Sequence, residues 1–137
     1  MSERKYLPTI ADLIDRLSIT LMKSIFIDRD TYRIEIQDIL HDIRLFTGAS
    51  AMLFNADAIY ATLVLMLANH YIWENEAIAR SRGRGGKLRA THAINGVRTR
   101  AKNEISKIFG ERIDRKIDCL AADLPTDVGD WRVFEDE

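Results

Sequence analysis

Apolar positions recur along this chain at helical spacing, in stretches separated by short polar breaks. Ile10, Leu13, Ile14, Leu17, Leu21 and Ile25 fall every three to four residues, the period of a helix with one buried face. Thr9 stands where a capping hydroxyl is wanted, and Asp12 falls in the first turn, where a negative charge is favoured. The helix should run to about Ile27, where "DRDT" interrupts it. Asp12 and Arg16, one turn apart, are expected to pair. A second stripe, Tyr32, Ile36, Ile39, Leu40, Ile43 and Phe46, predicts a helix capped by Asp30 or Thr31 and stopped by Gly48. Glu35, Asp38 and Asp42 lie opposite that stripe. "RIEIQ" also alternates as a strand does.

A third helix is predicted from a cap at Ser50 to Arg82, roughly 45 Å long if about thirty residues are helical. Its first half is apolar nearly all round and is expected to form the centre of the core. A fourth pattern starts at Lys87 and carries Leu88, Ile94, Val97, Ala101, Ile105, Ile108, Ile113, Ile117 and Leu120. Gly110 is a point where it can split in two, and Pro125 ends it. The expected fold is all-α: an antiparallel helical bundle with two long helices joined by a Gly/Arg-rich connector. One domain covers 1–124. Residues 125–137 form an acidic tail whose Trp131, Val133 and Phe134 are available to dock. A helix this long overreaches a core built from 137 residues, so a homo-oligomer is expected.

The single cysteine, Cys119, allows no disulfide within the chain and reads as a half-buried helical residue. The most apolar run, Ala58 to Ala68, is shorter than the roughly 20 residues a membrane span needs. The first residues are charged throughout, unlike a signal peptide. These features point to a cytoplasmic protein with no membrane partner.

The net charge of −1 conceals a segregation. Residues 1–79 carry a net −4, residues 80–116 a net +9 and residues 117–137 a net −6. The basic block opens with Arg80–Arg89, "RSRGRGGKLR", which holds five basic side chains and three glycines. Such a block implies an anionic partner. The stretch is not a P-loop, because Leu88 follows the lysine and no strand precedes it. It reads either as a mobile cationic loop or as an anion site at a helix start, with Arg82, Arg84 and Lys87 adding charge.

Helical spacing sharpens the picture. Asn69, Trp73, Glu76 and Arg80 share one face of the third helix, and Lys87, Thr91, Asn95, Arg98 and Lys102 share one face of the fourth. Polar stripes are commonly solvated surfaces. If the two stripes meet, they form a seam suited to an anionic ligand. Arg80, Arg98 and Lys87 would supply charge, Asn69 and Asn95 uncharged hydrogen bonds, and Trp73 a stacking surface.

Two segments resemble an uncharacterised bacterial and phage all-helical family, a domain of unknown function. "TIADLIDRLSITLMK" is similar to its opening at Thr9, Ile10, Leu13, Ile14, Asp15, Arg16, Leu17, Ser18, Ile19 and Lys23. "NHYIWENEAIAR" is similar to a later run at Asn69, Trp73, Glu76, Ala79 and Arg80. "AINGVRTRAKNEI" is loosely similar at Asn95 and Arg98. The likeness spans about 60 of the 137 residues and departs in the connector. It implies an all-helical fold and no particular activity. It adds Asp15, Arg16 and Lys23 to the polar constellation.

The leading expectation is a non-enzymatic binding protein for a small phosphorylated or nucleotide-like anion, with no cofactor or metal. In the phage setting of that family, such a protein would sequester a host nucleotide signal. One alternative is a nucleic-acid or protein-interaction module using the 80–116 block. That block holds one aromatic, Phe109, too few for a single-strand stacking platform. The other alternative is a magnesium-dependent nucleotide pyrophosphohydrolase using Glu35, Asp38 and Asp42 with Asp12 and Asp15. The dense acidic motif of that class is absent, and His41, His70 and His92 lie too far apart to form a ligand pair on one helix.

Overall fold

The computed structural model describes residues 6–48, 54–82, 88–115 and 128–134, with the side chains of 79–82 and 88–89 excepted. Among these it is all-helical: α1 (Ile10–Phe26), α2 (Arg29–Thr47), α3 (Ala56–Arg82) and α4 (Leu88–Ile108), with no strand. The alternation in "RIEIQ" gives way to the longer helical stripe around it.

The helix ends follow from local hydrogen bonding. At α1, the Thr9 hydroxyl accepts from the Asp12 N–H at 3.1 Å, and the Asp12 carboxylate accepts from the Thr9 N–H at 3.0 Å. This capping box satisfies backbone donors that have no partner inside the helix. The Ile10 N–H donates to Glu111 Oε1 at 2.7 Å, a cap delivered from far along the chain. α2 begins earlier than expected. Asp28 is its cap, accepting from the Asp30 N–H at 3.3 Å and from the Thr31 hydroxyl, so neither Asp30 nor Thr31 plays that part.

α3 starts at Ala56, with the Asn55 side chain accepting from the Ala58 N–H at 3.1 Å. Ser50, the expected cap, lies outside the described residues. α4 ends at Ile108 in a Schellman turn. The Glu111 N–H reaches the Ser106 carbonyl at 2.8 Å and the Gly110 N–H reaches Lys107 at 3.2 Å, with Gly110 at φ +67°. The amide of Asn103 then holds the backbone of Asp114 by a donor and an acceptor, at 2.7 and 2.9 Å. The chain therefore leaves the helix where the sequence allowed a split.

α3 packs chiefly on α4, and α1 chiefly on α2; α1 also touches both α3 and α4. Ile10, Ile14, Val64, Leu65, Ile94, Val97 and Ile105 fill the core. Ala61, Ala68, Ala90, Ala93 and Ala101 are buried among them and take up little room. The apolar run of α3 is core on one side only. Ala61, Val64, Leu65 and Ala68 are buried, whereas Ile59, Leu63 and Leu67 are 48, 59 and 59% exposed. In α2, Ile39 alone is buried, and Phe46 of its expected stripe is exposed.

Residues 128–134 lie against the helices. Tyr60 donates its hydroxyl to the Val133 carbonyl at 2.9 Å and meets Phe134 edge-on at 5.9 Å. Trp131 meets Tyr71 edge-on at 6.3 Å, its indole N–H donating to the Val128 carbonyl at 2.9 Å. Among the described residues, no helix is long and apolar enough to cross a membrane.

Candidate functional site

Where α1 meets α3 and α4, four polar side chains close on one another. Arg98 donates from Nε to Asp15 Oδ1 at 2.9 Å and from Nη2 to Asp15 Oδ2. The Asn69 amide donates to Asp15 Oδ1 at 2.9 Å and to the Ser18 hydroxyl at 2.7 Å, and that hydroxyl donates to the Asp15 carbonyl at 2.8 Å. Asp15, Ser18 and Asn69 are all buried. No buried polar side-chain atom lacks a partner among the described residues. The Arg98 guanidinium is held above its ordinary pKa, first by its hydrogen bonds to Asp15 and then by the attraction of the Asp15 and Asp12 charges, which outweigh its burial.

The polar row of α4 is matched to α1 along its length. Lys102, one turn beyond Arg98, meets Asp12 at 2.9 Å, so Asp12 pairs across helices rather than with Arg16. Arg112 lies 3.8 Å from the same carboxylate, donates to the Leu7 carbonyl and stacks over the Tyr6 ring at 4.2 Å. Burial alone would raise the Asp12 carboxyl. The bonds from Lys102 and Thr9, with the Lys102 charge, outweigh it and hold the group below its ordinary value.

Beside these groups opens a cleft of about 260 Å³ between the start of α1, the last turns of α4 and the segment after it. Thr9, Thr99, Asn103, Ser106, Lys102 and Arg112 contribute polar groups to its walls, and two acids, Asp12 and Asp114, line it as well.

The structure brings Asp15, Asn69 and Arg98 together and disposes the other sequence candidates elsewhere. Trp73 packs on Phe26 at 6.0 Å, away from the guanidinium. Thr91 accepts from the Asn75 amide, Asn95 is half-buried, and Glu76 and Arg16 are exposed. Lys23 lies over the Tyr32 ring at 5.7 Å. Arg80 is in α3, but its side chain is outside the described residues, as are Lys87, Arg84 and the connector.

Sequence reasoning missed Ser18 as a bonding group and missed Tyr6, Asn103, Glu111 and Arg112 altogether. Asp12 and Lys102 were visible as paired spacings: two acids three apart on α1, two cations four apart on α4. Among the described residues no three His, Cys, Asp or Glu side chains come together as a metal site. Glu35, Asp38 and Asp42 stand exposed on α2, with Glu35 accepting from Thr20 at 3.4 Å.

Comparisons with protein-family models, with curated proteins and with solved structures found no match to this chain.

Proposed function

We propose that this chain is a non-enzymatic binding protein for a small phosphorylated or nucleotide-like anion, built on an antiparallel helical bundle, with the ligand in the Lys102–Arg112 cleft. The observation that carries this reading is two cations held over one partly exposed carboxylate, Asp12, at the wall of a cleft of about 260 Å³. That volume is near the small end for ligand sites and suits a phosphate with a small organic group.

The cations differ in how cheaply they can be freed. Arg98 is bound on two donors to a carboxylate that is only 8% exposed, and parting a buried pair costs about 3 kcal/mol or more. Lys102 and Asp12 are 29 and 37% exposed, and pairs of that kind are worth about 0–1 kcal/mol. A dianionic phosphate, accepting charge-assisted bonds from Lys102 and Arg112 and neutral ones from Thr9, Thr99 or Ser106, offsets that cost. Arg98 then acts as a fixed brace, and Lys102 and Arg112 as the exchangeable donors.

Pairing weighs against the nucleic-acid alternative: Arg98, Arg100 and Lys102 of α4 each meet a carboxylate of this chain.

The test is a thermal-shift and NMR titration at low salt with inorganic phosphate, nucleoside monophosphates and cyclic nucleotides. At least one should raise the melting temperature and move the Thr99 and Ser106 amide signals. The response should vanish in Lys102→Ala and Arg112→Ala and persist in Lys107→Ala. Silence across the panel, or a response indifferent to Lys102 and Arg112, removes the reading. Magnesium-dependent phosphate release would replace it with an enzymatic one.

A further inference from the structure

The cleft beside Lys102 is polar along its walls and apolar at two places. Tyr6 and Ile113, 84 and 41% exposed, are the large apolar side chains among the described residues that line it. Tyr6 is exposed but held. The Arg112 guanidinium lies over one face of its ring, 4.2 Å from the centroid, and also donates to the carbonyl of Leu7, the next residue. At this exposure the opposite face of the ring stays open to solvent. An open aromatic face fixed beside a cation is a platform for a flat ring. Arg112 need not leave Tyr6 to bind an anion. A guanidinium carries five N–H donors in a planar fork, and the contacts to Leu7 and Asp12 both use Nη2.

The charges around the cleft limit what can enter. Lys102 and Arg112 share it with two acids, Asp12 and Asp114. One phosphate can meet the two cations, but each further phosphate brings negative charge beside two carboxylates, and like charges at short range repel strongly. Asp114 suits a neutral group that carries hydroxyls. A carboxylate accepts from several donors at once, and the backbone of Asp114 is held by the Asn103 amide through two bonds, at 2.7 and 2.9 Å. Its place is therefore set by the last turns of α4. The cleft is also small for a ligand site, about 260 Å³, so a ligand larger than a sugar phosphate has to lay its remainder against the open edge, where Tyr6 stands.

Building on the anion-binding reading of this cleft, on which the step rests, we infer that the ligand is a nucleoside monophosphate. Its phosphate meets Lys102 and Arg112, a sugar hydroxyl donates to Asp114, and its base stacks on the open face of Tyr6. The stacking surface is thus Tyr6, which belongs to no helical stripe, in place of Trp73, which packs on Phe26. Every nucleobase presents a π-face, so the stack selects for a base without selecting which one.

The test is calorimetry on the full chain at low salt with inorganic phosphate, ribose-5-phosphate, adenosine monophosphate and adenosine diphosphate. Adenosine monophosphate should bind about tenfold or more tightly than ribose-5-phosphate, in keeping with the gain from stacking one base, and more tightly than the diphosphate. Tyr6→Ala should bring it down to the level of ribose-5-phosphate, whose own affinity should not change. Tyr6→Phe, which keeps the ring, should keep the preference. Asp114→Ala should weaken ribose-5-phosphate and not inorganic phosphate. In NMR spectra the Tyr6 ring signals should move upfield with adenosine monophosphate and stay in place with ribose-5-phosphate. Sugar phosphate binding with no gain from the base overturns this inference and leaves the anion-binding reading standing. So does a gain that survives Tyr6→Ala, a tighter diphosphate, or an Asp114→Ala variant that binds ribose-5-phosphate as wild type does. Silence from all four compounds removes both.

Discussion

Asp15 on α1 and Arg98 on α4 meet edge to edge, through two parallel N–H···O bonds, although 83 residues separate them in sequence. The contact fixes the rotation of both helices. A shift of either by one residue takes the carboxylate away from the guanidinium fork and from Asn69 together.

Removing the carboxylate should therefore be costly. Asp15→Ala leaves a partly buried cation and the Asn69 amide without their acceptor, and should lower unfolding stability by about 3 kcal/mol. The double variant Asp15→Leu/Arg98→Leu, which removes both charges, should lose less than the single one. Urea denaturation measures both. A single-variant loss under about 1 kcal/mol would mean the pair does not hold α1 to α4.

Asp12 sets a pH dependence of known sign. Its folded-state pKa is lowered from 3.8 by the bonds from Lys102 and Thr9, which outweigh the burial that alone would raise it. The contribution to stability is therefore present above 3.8 and is lost as pH falls through the folded value. Asp12→Asn should cost no more than about 1 kcal/mol at pH 7, given the exposure of the pair, and the gap from wild type should close in acid below the folded pKa. Urea midpoints across the acid range test this, and a gap that stays constant with pH contradicts it.

Gly110 should resist replacement for reasons of backbone alone. At φ +67° it closes the Schellman turn, and nothing lies within 4 Å of an added Cβ. Gly110→Ala should cost about 1 kcal/mol through backbone strain, and Gly110→Asn less, since asparagine tolerates that region. Thermal melts of the two variants should rank in that order.

Trp131 anchors the 128–134 segment on Tyr71 and is only partly buried. Trp131→Ala should destabilise by about 2 kcal/mol, less than the 3–5 typical of a fully buried ring. It should also expose Tyr60, whose bond to Val133 belongs to the same strap. Equilibrium unfolding and tyrosine accessibility to quenchers report the two effects. An unchanged melt would place the segment's attachment on Phe134 and the Tyr60–Val133 bond instead.

Spacing revealed faces far better than it revealed partners. Thr9 with Asp12, Gly48 and Gly110 marked helix ends because capping is a local event among residues a turn apart. Asn69 and Arg98 were legible as members of polar rows for the same reason. Asp15 entered the constellation by resemblance alone, because its spacing from Asp12 says that the two acids share a side of α1 but not that this side meets α4. Trp73 shared its helical face with Asn69, yet four residues further along the α1–α3 contact it finds Phe26 and not a guanidinium. The cleft at Lys102 was hidden more deeply. Its walls come from residues 6–12 and 99–114, and helical periodicity does not say which distant segment will lie alongside. The outer side of α3 is exposed where the centre of the core was expected, because an apolar run says that a helix prefers to be buried, not by what.

The carboxylate of Glu111 closes on the amide of Ile10, so the first helix is finished only when a residue 101 positions later has arrived. On a ribosome adding about 5–20 residues per second, the α1–α2 hairpin waits for several seconds with its α4-facing side open to water. Substitutions that weaken this closure should thus lower the yield of soluble protein during synthesis more than they lower the melting point of protein already folded.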